Sequence, residues 1–211
     1  FAQNMNKIKI IAEKWVNNGV CIGYHENETY FIIGTIPGET VICEIIKNTS
    51  KLKLLKTISV EESSELRISS DCEIFLICGG CQFRHISYSE ELTIKEELLR
   101  KELKWENAIQ IYSDNPTGYR NNAQIKFSED KFGFYKLGSN DLVSFPSYGC
   151  KNLPDELNMY LTKLKKNFYG EKKFRLQENS IVEYSAIETS YSVNGYRFAI
   201  PPNGFFQSIV I

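Results

Sequence analysis

Three cysteines crowd into the stretch Asp71 to Tyr88, DCEIFLICGGCQFRHISY: Cys72, Cys78 and Cys81, the last two separated only by Gly79 and Gly80. Core packing gives no reason for thiols to recur around a pair of glycines, because a buried cysteine behaves simply as a small hydrophobe. Convergence on a metal does. A C-x-x-C turn brings two sulfurs to one place, and glycine lets the backbone bend tightly enough to do so. Four ligands are the usual requirement, and a further thiol stands downstream at Cys150, in the loop-like sequence SFPSYGC. Zinc and iron-sulfur clusters both take thiolates at such spacing, so the residues by themselves leave the metal open. Either would staple the cysteine stretch to the region around Cys150.

The chain has six cysteines, an even number that would suit disulfides in a secreted protein. It shows no basic-then-apolar leader, and no run approaches the roughly 18 apolar residues of a membrane span. A cytoplasmic location without a membrane partner is therefore expected, with the thiols available to metal. Cys21 and Cys43 lie inside strand-like stretches and are expected in a core. A net charge of −1 gives no global footprint for nucleic acid, so contact with RNA would have to come from local groups. With 42% hydrophobic and 24% charged residues over 211 positions, the chain can build one large or two small cores. No signal for an oligomer is seen, and a monomer is expected.

From Lys7 to about Leu66 five strands are expected: KIKIIAEKWV, GVCIGY, TYFIIG, TVICEII and KLKLLKTISV, with turns at His25 to Glu28, Pro37-Gly38 and Asn48 to Ser50. This spacing suits a small closed barrel of the OB type, an architecture that often binds oligonucleotides. Glu61 to Ser70 is polar and serine-rich, a linker. A helix is expected from Ser87 to about Lys104: Ser87 and Glu90 form a capping-box signature, Glu91/Lys95 and Glu96/Arg100 fall at i,i+4, and Leu92, Leu99 and Leu103 form its apolar stripe, with Leu98 beside them. From Gly118 the pattern is again β, with Ala123, Ile125 and Phe127 on one face. A second helix is expected from Pro154 or Asp155 to about Lys166, followed by further strands. Lys163, Lys165, Lys166, Lys172, Lys173 and Arg175 make the densest basic run, which is most simply a solvated face.

Taken together, these segments resemble the RNA (uracil-5-)-methyltransferases, the enzymes that form 5-methyluridine, and in particular their iron-sulfur ribosomal RNA branch. The block Cys72-x5-Cys78-Gly79-Gly80-Cys81-Gln82-x-x-His85 is similar to that branch's cluster motif, and Cys150 stands where the branch places a fourth ligand. Gly19-Val20 and Ile36-Pro37-Gly38-Glu39 resemble the family's N-terminal TRAM domain. Gly118-Tyr119-Arg120-Asn121, Gly133-Phe134-Tyr135, Gly138-Ser139 and Leu142-Val143 match segments of its central domain. Phe205-Phe206-Gln207 resembles the motif that opens its catalytic domain. Arg84 stands where the family often has Gln, Asn122 where it often has a basic residue, and Ser-Ile follows Gln207 in place of Val-Asn.

The resemblance implies a mainly β chain with an α/β part: an OB-like TRAM barrel over 6–66, an α+β central domain over 71–203 with a four-cysteine iron-sulfur site, and the start of a methyltransferase domain over 204–211. It implies a 4Fe-4S cluster on Cys72, Cys78, Cys81 and Cys150, with zinc as the alternative, and ribosomal RNA as partner. Arg84, His85, Arg120 and Phe205 would face RNA, and Gln207 would touch S-adenosylmethionine. A methylating member also needs a glycine-bearing cofactor loop, a nucleophilic cysteine and a general base. None can be assigned among these residues, so the chain is expected to be inactive by itself. The rival expectation is a free-standing RNA-binding or redox-sensing metal module.

Overall fold

A computed structural model describes residues 7–129, 131–164, 168–177, 180–185, 187–202 and 204. The chain divides into two compact units, 1–112 and 113–211. The cysteine segment 71–88 thus belongs to the same unit as the barrel.

In the first unit the strands are β1 (Lys7–Ile11), β2 (Lys14–Val16), β3 (Val20–His25), β4 (Glu28–Ile33), β5 (Thr40–Asn48) and β6 (Lys53–Glu62). The sheet order is β1-β5-β6-β4-β3-β2, with β4 and β6 parallel and the remaining pairs antiparallel. The stretch expected as one strand, Lys7 to Val16, is broken at Ala12-Glu13, so its first half pairs with β5 at one edge and its second half with β3 at the other. One bent strand therefore closes the sheet on itself. Ala12 N–H donates to Glu39 O and Glu13 N–H to Ile22 O across this seam. Gly23 lies against it, where a Cβ would come within 2.5 Å of Ile11 O. The result is a closed sheet of six strands, the first of the five expected strands being split in two, filled by Ile10, Ala12, Cys21, Tyr30, Ile32, Val41, Cys43 and Leu55. Both core cysteines sit as expected. Burial pushes the Cys21 thiol well above its ordinary range, and the Cys43 thiol up to about 11.

Helix α1 (Tyr88–Leu103) begins where the capping signature placed it: Ser87 Oγ accepts from Glu90 N–H at 3.2 Å, and Lys104 ends it in the left-handed region. Its buried face differs from the expected leucine stripe. Ile94 is buried and packs on Ile36 and Ile86, with Leu98 beside it, whereas Leu99 and Leu103 are 46% and 61% exposed. Both stripes have helical spacing, and only the position of the barrel decides between them.

In the second unit, β7 (Asn122–Ser128), β8 (Lys131–Tyr135), β9 (Leu142–Ser144), β10 (Gly170–Gln177) and β11 (Ser180–Glu183) form an antiparallel sheet in the order β11-β10-β7-β8-β9. Helix α2 (Asp155–Lys163) buries Leu157 and Leu161 against Ala123, Ile125, Phe127 and Phe174. That is the face expected for β7. At Gly133 an added Cβ would stand 1.8 Å from Val143 O, so only glycine lets β8 lie this close to β9. β12 (Thr189–Val193) and β13 (Tyr196–Ile200) form a hairpin through Asn194-Gly195, both at positive φ. Among the described residues no helix is long and apolar enough to cross a membrane.

Candidate functional site

The cysteine segment is laid onto one end of the barrel by four side chains. Arg67 reaches Glu39, donating from Nε to Oε1 and from Nη2 to Oε2, each at 2.6 Å, and Nη2 also donates to Gly34 O at 2.9 Å. Leu76 covers Gly34, where a Cβ would meet it at 2.5 Å. Phe83 covers Gly19, where a Cβ would stand 2.7 Å from its ring. His85 Nε2 donates to Thr35 O, 3.2 Å away. Both glycines also have positive φ, +66° at Gly19 and +81° at Gly34. The barrel end is thus shaped to take this loop.

Glu39 is fully buried and accepts three further hydrogen bonds besides those from Arg67: its Oε2 takes Ile36 N–H at 2.9 Å and Thr35 Oγ1 at 3.1 Å, and its Oε1 takes Ser64 N–H at 3.1 Å. Burial opposes its ionisation, but the hydrogen bonds from Arg67, Ile36 and Ser64 and the Arg67 charge outweigh burial and hold the carboxyl below its ordinary value. Neither Glu39 nor Arg67 is among the expected site residues. The signal for Glu39 was present: counting back by two from the inward-facing Val41 and Cys43 lands on it.

His85 was expected to face RNA and is instead 1% exposed. It stacks on Phe75 with ring centroids 5.5 Å apart and lies 6.2 Å from Trp15. Burial pushes its pKa down to about 4, against the hydrogen bond to Thr35 O, so the ring is neutral at pH 7. Its place is inside the loop's anchorage, because an imidazole that can leave its charge behind is a tolerable core group and a phosphate-facing one must be exposed.

The three cysteines lie on nested turns. Phe75 N–H donates to Cys72 O at 3.1 Å, and Ile77 and Cys78 N–H both donate to Ile74 O, at 3.0 and 2.9 Å. Cys72 N–H donates to Ser70 Oγ. All three thiols are half-buried, and among the described residues no cysteine is in a disulfide. Burial, and then the nearby Cys81, raise the Cys72 thiol above its ordinary value. A Cβ at Gly80 would make ordinary contact with the Cys78 Sγ, 3.4 Å away. Among the described residues no three Cys, His, Asp or Glu side chains converge so as to hold a single ion. The donor set nevertheless matches a thiolate-bound group in kind: three half-buried soft ligands on one short loop.

Arg84 is 14% exposed at its side chain and is gripped by Asp71, with Nη1 2.9 and 3.0 Å from the two carboxylate oxygens. Burial works against its charge, while hydrogen bonding to Cys81 and Asp71 raises its pKa.

In the second unit, Cys150 sits on a turn locked to α2. Its N–H donates to Asn158 Oδ1 at 2.8 Å, and Asn158 Nδ2 donates back to Cys150 O at 3.1 Å and to Leu153 O at 2.9 Å. Gly149 has φ +77°, and a Cβ there would strike Asn158 at 2.7 Å. Arg120 is exposed, with its guanidinium 5.7 Å from the Tyr119 ring centroid. Its N–H donates to Asn152 O at 2.8 Å. Next to it, Asn122 Oδ1 accepts from Arg175 Nε at 2.7 Å. In the basic run, Arg175 is fully buried over Tyr184 and Lys172 pairs with Glu183, so the run is not one continuous solvated face. Phe205 and Gln207 lie outside the described residues, as do Lys165 and Lys166.

In fold, this architecture is that of a tRNA uracil methyltransferase. The crystal structure of the Pyrococcus abyssi tRNA (uracil-54, C5)-methyltransferase in complex with S-adenosyl-L-homocysteine superposes on 95% of the chain with a TM-score of 0.65, at 15% identity and covering 61% of that protein. In sequence, the chain is 37% identical to an uncharacterized RNA methyltransferase of Leptospira interrogans, over 95% of this chain and 55% of that one. It is 30% identical to the 23S rRNA (uracil(1939)-C(5))-methyltransferase RlmD of Vibrio parahaemolyticus, over 72% of this chain and 37% of that one. The chain therefore spans about half the length of the first of these relatives, or less for the second. No family model matches it. Its relatives in sequence are RNA methyltransferases.

Proposed function

We propose that this chain is the RNA-gripping, substrate-presenting part of an RNA (uracil-5-)-methyltransferase of the 23S rRNA type. The observation that carries this reading is the similarity to RNA methyltransferases over 95% of the chain, joined to a cysteine loop seated on an OB-type barrel. The barrel, over residues 6–66, takes the part of a TRAM domain. Residues 71–203 form the central region, and 204–211 open the methyltransferase domain. S-adenosylmethionine, when bound, supplies the methyl group for uridine C5, and Gln207 is the residue of this chain assigned to touch it. Phe205 is assigned to the extracted base.

A 4Fe-4S cluster is proposed on Cys72, Cys78 and Cys81, with Cys150 as the fourth thiolate; zinc is the alternative. The support is the donor set and the Gly79-Gly80 turn. Of the groups expected to face RNA, Arg120 has the geometry for it: a charge in solvent, backed by an aromatic ring, can stack on or hydrogen-bond an unpaired base. Arg84 and His85 are engaged within the first unit, and their share in RNA binding would be indirect, through the shape of the loop.

The test has two arms. Anaerobic purification followed by iron, sulfide and zinc assays and a visible spectrum separates cluster from zinc. Labelled S-adenosylmethionine with a ribosomal RNA fragment then compares these 211 residues with a protein extended to the length of the relatives. RNA binding by both, and methyl transfer only by the longer one, is expected. Methyl transfer by the 211 residues alone, or no RNA binding by either, would overturn the reading.

A further inference from the structure

Helix α1 ends in a fixed turn that leaves an indole in water. Lys104 takes φ +51°, its N–H donates to Lys101 O at 3.2 Å, and Trp105 N–H donates to Arg100 O at 2.9 Å. Trp105 remains 53% exposed, whereas Trp15, the other tryptophan, packs against Phe83. An open groove of about 460 Å³ is lined by Glu97, Arg100, Lys101, Lys104, Trp105 and Glu106. Arg100 is held in place there: Nη2 donates to Glu106 O at 3.0 Å, and Nη1 lies 3.7 Å from Glu96 Oε1. Its Nε is buried with no hydrogen-bond partner among the described residues, a donor that a bound acceptor would satisfy. Lys101 and Lys104 enter no ion pair among the described residues.

Cations in a last turn answer the helix dipole, and that accounts for Arg100 and Lys101. It does not account for an indole left half in water, nor for lysine at a positive-φ cap that glycine takes without strain. We propose that this groove is an RNA subsite, in which an unpaired base stacks on Trp105 while Lys101 and Lys104 meet the flanking phosphates. The inference rests on the RNA-binding role given to the chain in the preceding subsection, and it adds residues of the first unit that were not assigned to RNA there. The lining carries three cations against two acids, and its two lysines are free of ion pairs among the described residues, which suits a polyanion. An acidic peptide would use the lysines and leave the ring idle. A single-stranded nucleotide uses both, because every base has a face that stacks on an indole.

The experiment is fluorescence anisotropy of a short labelled single-stranded RNA of mixed sequence, titrated with the 211-residue protein over a range of salt concentrations. Trp105→Ala is expected to weaken binding about tenfold, the loss of one stacked base, and Trp105→Phe, which keeps a ring, to restore most of it. Lys104→Gly removes a charge at a backbone position that suits glycine, and Lys101→Gln removes the other; each is expected to reduce the salt slope by about 0.7, one phosphate contact on a single strand. In Trp15→Phe protein, where Trp105 is the sole tryptophan, the same RNA is expected to quench the indole fluorescence. Full affinity in Trp105→Ala overturns the proposal. So does quenching by polyglutamate but not by RNA, which would make the groove a peptide site. If Arg120→Gln weakens RNA binding while Trp105→Ala does not, the functional reading stands and the subsite alone is refuted; if the wild-type protein binds no RNA, both are. Should Trp15→Phe fail to fold, the affinities of Trp105→Ala and Trp105→Phe decide: a loss restored by Phe supports the subsite, and unchanged binding defeats it.

Discussion

Arg67 closes a planar fork on Glu39, with both nitrogen-oxygen distances at 2.6 Å and the carboxylate wholly out of solvent. This pair joins the first residues after the barrel to the turn between β4 and β5. It is the point from which the cysteine loop is hung.

Removing one partner leaves a buried charge without its counterpart, so Arg67→Leu is expected to cost about 3–5 kcal/mol, read as a lower urea midpoint. Glu39 is held below its ordinary value near 4.5, so the stability it supplies is complete above that pH and is lost as pH falls through the folded-state value. Glu39→Gln should therefore start less stable at pH 7 and lose less between pH 5 and 3 than the wild type does. Parallel pH profiles for the two proteins would contradict the assignment.

His85 titrates the other way about in charge but with the same direction in stability. Its unfolded form takes a proton near pH 6.5, while the folded form resists until about 4, so stability is full above 6.5 and falls through that interval, by up to about 3 kcal/mol. Nuclear magnetic resonance of the ring protons should show His85 neutral at pH 5.5. A midpoint near 6.5 would mean that the ring is not buried as described.

Cys78→Ser is expected to lose iron and sulfide and to lower the melting temperature, whereas Cys43→Ala should keep the metal and lose only about 1 kcal/mol of core packing. The contrast separates ligand thiols from core thiols. Equal metal content in both variants would argue that Cys78 binds nothing.

Arg120→Gln should weaken RNA binding about tenfold, a stacking or charged contact being worth roughly 1–3 kcal/mol, with no change in melting because the side chain is exposed. Fluorescence anisotropy at fixed salt reads this directly. Wild-type affinity at low and physiological salt would remove Arg120 from the interface.

Much of this was legible along the chain because it depends on local chemistry. The alternation Ala123, Ile125, Phe127 marked the buried face of β7, Ser87 and Glu90 marked the start of α1, and the placement of Cys21 and Cys43 within strand patterns marked them as core. The cysteine spacing and its neighbours pointed to RNA methyltransferases as relatives, which the comparisons bear out. These signals survive in sequence because a strand repeats every two residues, a cap needs a side chain three residues before its target, and a thiol pair needs a turn.

Other features depend on what a residue meets far away in the chain. Periodicity could not choose between the Ile94 and Leu99 faces of α1, since both repeat correctly and only the barrel surface at Ile36 selects one. It read Lys7 to Val16 as one straight strand, where closing the sheet needs a break at Ala12-Glu13. His85 and Arg84 looked like neighbours with one role, yet the first is driven inward against Thr35 while the second is held by Asp71 at the cysteines. The sequence alone thus determined the elements and the kind of chemistry the chain carries. Tertiary structure decided which charges are buried, which are paired and which still face water, because burial and electrostatic pairing arise only when distant segments meet.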